Sequence, residues 1–138
     1  MKFEEKHFKR FDFTNKEIRL FLENSRRDLD IAKNNKTPEV IFRFGYDSIL
    51  KSCIALIAFC GFKAKSVPGH HIIIISKASE ILNHEYAEIF YFCNNIRRKR
   101  NFDLYAGGSF FSVQEAKNLI EISEKIYTIV KNYVQKGR

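Results

Sequence analysis

An all-α domain is the fold this sequence predicts, and three observations predict it. Only two prolines and six glycines interrupt 138 residues, too few breaks for a fold of many short strands. Apolar residues recur at helical spacing through most of the chain. Two capping boxes, at Thr14 and Ser112, mark helix starts by chemistry as well as by pattern. Hydrophobic residues are 45% of the chain, with 14 Phe, six Tyr and no Trp. That supplies one core, so residues 1–138 are taken as a single domain.

The elements follow in order. Residues 1–13 alternate cations with Phe3, Phe8, Phe11 and Phe13. They form an arm, packed or loose, and four phenylalanines favour packing. In Thr14-Asn15-Lys16-Glu17 the Thr hydroxyl and the Glu carboxylate three residues on satisfy two orphan N–H groups. The first helix then runs to about Asn34, with Ile18, Phe21, Leu22, Ser25, Leu29 and Ala32 on one face. Thr37-Pro38-Glu39 starts a second helix, with proline where its missing N–H costs nothing. This helix continues to Cys60 and stops at Gly61, a natural C′ residue. From Ile49 to Phe59 it is apolar nearly all round, which predicts the central buried helix. Asp47 and Lys51 form an i,i+4 pair on it.

Residues 62–69 form a basic loop. The run Ile72-Ile73-Ile74-Ile75 after His70-His71 has the look of a buried strand. A helix is preferred, because a lone strand has no partner for its backbone. The chain restarts as a helix near Asn83, with His84 and Glu85 as a solvated start, and runs to about Leu104. Tyr86, Ile89, Phe90, Cys93 and Ile96 keep helical rhythm. Gly107-Gly108 ends it, and the Ser112 box opens a last helix to about Gln135. The sum is a bundle of about five helices with short connections.

Composition narrows the function classes. The segment Met1 to Arg10 has no apolar h-region, so no secretory signal is expected. The longest apolar run, Cys53 to Cys60, is too short to span a bilayer. No membrane role is expected, and three cysteines without Cys-x-x-Cys fit a cytoplasmic protein. No Walker loop, dinucleotide glycine fingerprint, Ser-His-Asp order or metal-spaced carboxylate pair is present, so no metal or cofactor is expected. The net charge of +8 points to an acidic partner. Abundant Lys, Ile, Asn and Phe also follow from AT-rich coding, so clustering carries more information than the total.

The densest cluster is Arg97-Arg98-Lys99-Arg100-Asn101, with Tyr105 following. Guanidinium forks match phosphate oxygens. Arg97 and Arg100 are three apart and share a helix face. Asn101 adds an amide, and Tyr105, just beyond the last turn, can fold its hydroxyl towards Arg100. The bland alternative is a solvated helix end whose cations offset the macrodipole.

The order Arg-Asn-x-x-x-Tyr at Arg100, Asn101 and Tyr105, after Tyr46-Asp47, Ala55-Leu56, Gly61-Phe62 and Gly69-His70-His71, resembles the HEPN family along nearly the whole chain. That resemblance implies an antiparallel helical bundle and a two-fold dimer. In active members an Arg and a His from each protomer line a cleft and cut RNA without metal. Arg100 and Asn101 match the motif, and Tyr105 falls where active members carry His. A tyrosine, with a reference pKa near ~10, is a poor base at neutral pH. It can still donate a hydrogen bond to phosphate.

Four further residues are candidates beside the cluster. His70 or His71 can supply the proton shuttle that Tyr105 lacks; adjacent on a helix, they cannot chelate one metal as an i,i+4 pair does. Asp47 and Lys51 can face the same cleft, or form a surface pair of little worth. The expected function is RNA binding or metal-independent RNA cleavage of toxin or defence type, with Arg97, Arg98 and Lys99 on phosphates and Arg100, Asn101 and Tyr105 as the catalytic set. In that set Arg100 clamps phosphate, Asn101 orients the scissile region and Tyr105 assists. The alternative is a non-catalytic module that partners a separate nucleotidyltransferase as one half of a toxin–antitoxin pair. A third reading is a homodimer whose arginines close on acidic residues such as Glu88 and Asp103.

Overall fold

Thr14 closes its predicted capping box: Thr14 Oγ1 accepts from Glu17 N at 3.1 Å, and Glu17 Oε1 accepts from Thr14 N at 3.0 Å. The computed structural model describes residues 2–106 and 112–137, and for residues 100–106 the backbone alone. From the box runs α1, Asn15–Lys33, followed by α2, Pro38–Phe59. Next come α3, His70–Ile81, and α4, Ala87–Ala106. A second capping box, Ser112 with Glu115, opens α5, Val113–Gln135. The described residues are thus mostly helical, as expected, and none of these helices is long and apolar enough to cross a membrane.

The central helix is α2, as its all-round apolar composition predicts. It packs against each of the other four helices. Ile49, Cys53, Leu56 and Ile57 on α2 meet Ile75 and Ala78 of α3, Phe90 and Cys93 of α4, and Leu119, Ile126 and Val130 of α5 in one buried cluster. At Gly45, α5 comes so close that a Cβ would lie 3.0 Å from Leu119. Ser123 Oγ donates to the Gly45 carbonyl there, at 2.9 Å. The four-isoleucine run is helical, as preferred: Ile74 and Ile75 are buried and Ile72 is exposed, the rotation expected of a 3.6-residue period.

Two expectations are corrected. The arm and the basic loop are not both irregular: β1, Phe8–Arg10, pairs antiparallel with β2, Phe62–Ala64, with Phe8 opposite Ala64. Three residues are too few to show an alternating pattern, and the partners are distant in sequence. The arm is packed, with Phe3 stacked on Phe62 at 4.0 Å and edge-on to Phe8 at 5.2 Å. Buried Lys77 fastens it, donating to the Lys2 carbonyl at 2.6 Å and to Glu80 at 2.8 Å, with its ammonium over the Phe3 ring. The second correction is the start of α4. Asn83 and His84 have φ of 55° and 57°, a left-handed turn that Asn and His tolerate better than most residues. His84 is therefore a turn residue and not a helix start, and α4 begins at Ala87.

The seam between α1 and α2 is polar and closed. Ser25 Oγ lies 2.7 Å from Ser52 Oγ and 3.0 Å from Ser48 Oγ, and donates to the Ser48 carbonyl at 2.8 Å. Along the same seam Lys51 Nζ donates to Oδ2 of buried Asp28 at 2.6 Å.

Candidate anion-binding site

Gly69 turns the chain into α3 with φ of 79°, a left-handed conformation that a side chain would strain. No side chain caps this helix start. His70 N donates to the Val67 carbonyl at 3.1 Å and Ile73 N to the Gly69 carbonyl at 3.3 Å. The first turn thus presents the positive end of the α3 dipole.

Gly69, His70, His71 and Ile72 line a cavity of about 180 Å³ together with Arg97 of α4. The two elements that sequence pattern marked separately, the double histidine and the arginine string, therefore meet. Arg97 Nε is buried and has no hydrogen-bond partner. A buried guanidinium nitrogen without an acceptor is costly, and an anion in the cavity would relieve that cost. No carboxylate lines the cavity, so nothing there repels an anion.

The imidazoles are held differently. His70 Nδ1 lies 3.1 Å from the Val67 carbonyl. A carbonyl only accepts, so Nδ1 carries the proton and Nε2 is left to accept or, in the imidazolium, to donate. His71 Nδ1 lies 3.3 Å from the hydroxyl of Tyr46, which is 1% exposed and fixed in the core. The two rings meet edge to face, with centroids 4.5 Å apart. No group of three metal-ligating side chains occurs among the described residues.

The other candidates fall elsewhere. Arg98 is exposed. Lys99 donates to Glu115, and that hydrogen bond is the main reason the Glu115 carboxyl is held below its ordinary range. Glu115 also completes the α5 capping box, so Lys99 ties α4 to the start of α5. Lys51 belongs to the α1–α2 seam with Asp28, and neither it nor half-buried Asp47 lines the cavity. The side chains of Arg100, Asn101 and Tyr105 lie outside the described residues, as do Gly107 and Gly108. The backbone still corrects one expectation. α4 continues to Ala106, so Tyr105 belongs to the helix and does not lie beyond its last turn.

One residue of interest escaped the sequence. Asn94, one turn before Arg97, has its Oδ1 buried and unpartnered. Its spacing of three from Arg97 was the available signal. Two of the three cysteines are poor nucleophiles: burial pushes the Cys53 thiol well up and that of Cys93 up to about 12.

The chain matches no protein-family model, no curated protein and no solved structure.

Proposed function

We propose that this protein is an HEPN-like, RNA-directed protein that binds RNA phosphates at the α3–α4 cavity and cleaves RNA without a metal. One observation carries the proposal: Arg97 Nε is buried and unpartnered in a cavity it shares with two imidazoles and an uncapped helix start. Guanidinium, helix N–H groups and histidine form a set suited to a phosphodiester. In this reading His70 or His71 removes the proton from a ribose 2′-hydroxyl, the role to which Tyr105 is poorly suited. The oxygen attacks phosphorus in line, and the bond from phosphorus to the 5′-oxygen breaks. That oxygen leaves as a hydroxyl with a proton from water or from the protonated imidazole, giving a 2′,3′-cyclic phosphate. Arg97 stabilises the charge that builds on the phosphoryl oxygens. Arg100 and Asn101 extend the phosphate track along α4. An antiparallel bundle and a two-fold dimer belong to the same proposal. Tyr91, 67% exposed on α4, is an aromatic available to such an interface or to a nucleotidyltransferase partner.

The test is incubation of the purified chain with total RNA and a labelled oligonucleotide in EDTA, at two salt concentrations. Binding should weaken steeply with salt through counterion release, and cleavage should be lost when both histidines are changed to alanine. Salt-sensitive binding without cleavage would remove the catalytic half of the reading. Absence of any RNA binding at low salt would overturn it.

A further inference from the structure

A second cavity, of about 320 Å³, opens between α1, α2, α3 and β2. Its helical wall is Leu50, Ile54 and Ile57 of α2 with Ile74 of α3. Leu50 and Ile54 are only half-buried, although α2 is otherwise the most enclosed helix of the fold. Apolar side chains on a central helix that stay partly open to a concavity leave hydrophobic burial incomplete. A cavity of roughly 150 Å³ lined by Leu, Ile and Phe accepts benzene, so this one has room for an apolar body about twice that size.

Its polar lining is confined to one stretch: Lys63 in β2, Ser66 just after it, and His70 at the start of α3. No acidic residue lines the cavity. The Lys63 ammonium rests over the Phe11 ring at 5.0 Å and makes no ion pair among the described residues. An apolar chamber whose lining includes one lysine without a counter-ion among the described residues and one hydroxyl is complementary to a molecule with an apolar body and a single negative charge. We infer that this cavity binds a small apolar monocarboxylate, its hydrocarbon chain against Ile54 and Ile74 and its carboxylate on Lys63 and Ser66. One lysine balances one charge, which favours a carboxylate over a phosphate monoester dianion.

Decanoate, titrated into the full chain by calorimetry beside uncharged decanol, tests this. The expected result is one saturable decanoate site, with decanol about tenfold weaker, the worth of a charge-assisted hydrogen bond. In Lys63→Met the two ligands should bind equally. Ile54→Trp fills the chamber and should abolish both. Should that variant not fold, the methyl resonances of Ile54 and Ile74 in the unaltered protein decide the same point, because they should shift on decanoate addition. Absence of saturable decanoate binding would overturn the inference. So would equal affinity for decanol in the unaltered protein, a preference for decanoate that survives Lys63→Met, or shifts confined to other methyls. RNA binding does not enter this test, so its outcome is independent of the function proposed above.

Discussion

The α1–α2 seam and the α3–α4 cavity both place polar and charged groups inside an apolar fold, but they treat them in opposite ways. In the seam, Ser25, Ser48 and Ser52 bond one another and Asp28 holds Lys51. At the cavity, Arg97 Nε is buried without a partner and the α3 start is uncapped, and one turn before Arg97 the Asn94 Oδ1 is buried without a partner as well. Closed polar groups hold elements in register. Open ones cost stability, and such costs concentrate at functional sites. On the function proposed above, the contrast separates structural from functional groups of the same chemical type, the half-buried cations Lys51 and Arg97 included.

Matched substitutions of those two cations break the comparison most directly. Lys51→Met leaves the Asp28 carboxylate buried without its ammonium, so stability should fall by about 3 kcal/mol, read by urea denaturation, with RNA affinity per folded molecule unchanged. Arg97→Met should do the reverse. RNA affinity should drop about tenfold, the worth of one charge-assisted contact, while stability moves by less than about 1 kcal/mol. If Arg97→Met lowers stability as much as is expected of Lys51→Met, the cavity is structural and the contrast is lost.

Asn94 sharpens the same point. Asn94→Leu removes an unpartnered acceptor and should stabilise the fold by about 1 kcal/mol, measured as a rise in Tm. A loss of stability would mean that the Asn94 amide does structural work in the free protein.

The smallest expected effect lies far from the cavity, where α1 meets α5. Glu124 accepts from Lys33 and from Arg26. Its carboxyl is held below the ordinary 4.5, chiefly by the Lys33 hydrogen bond. A lowered folded value means that this contribution is full above pH 4.5 and is lost as pH falls through the folded value. The group is partly exposed, so less than about 1 kcal/mol is at stake. Glu124→Gln should lower the neutral plateau of a stability–pH curve by less than about 1 kcal/mol and slightly flatten its acid limb.

How legible the molecule was depended on the range of the interactions involved. Both capping boxes, the Pro38 start, the Gly61 stop and the central position of α2 could be read because each rests on residues within a few positions of one another. The β1–β2 pair could not, since Phe8 and Ala64 are distant in sequence and each strand is too short to carry a pattern. The sequence marked a restart near Asn83, but the left-handed turn at Asn83 and His84 that delays α4 to Ala87 has no periodic signal of its own. Within the site, Arg97, His70 and His71 were each visible as residues and the histidines were expected beside the cluster, while the α3–α4 packing that joins them to Arg97 was not legible. The bond from Lys99 to Glu115 and the bond from Lys51 to Asp28 removed two cations that sequence alone left available.

By itself the sequence determined the helical class, the helix boundaries set by caps and breakers, and the stock of cations from Arg97 to Arg100, because these follow from local hydrogen bonding and composition. Only the tertiary structure decided which of those cations found a carboxylate. Pairing depends on which faces α1, α4 and α5 turn towards one another, and those faces are set by packing around α2. The same packing brought the start of α3 against Arg97 and left its Nε without an acceptor.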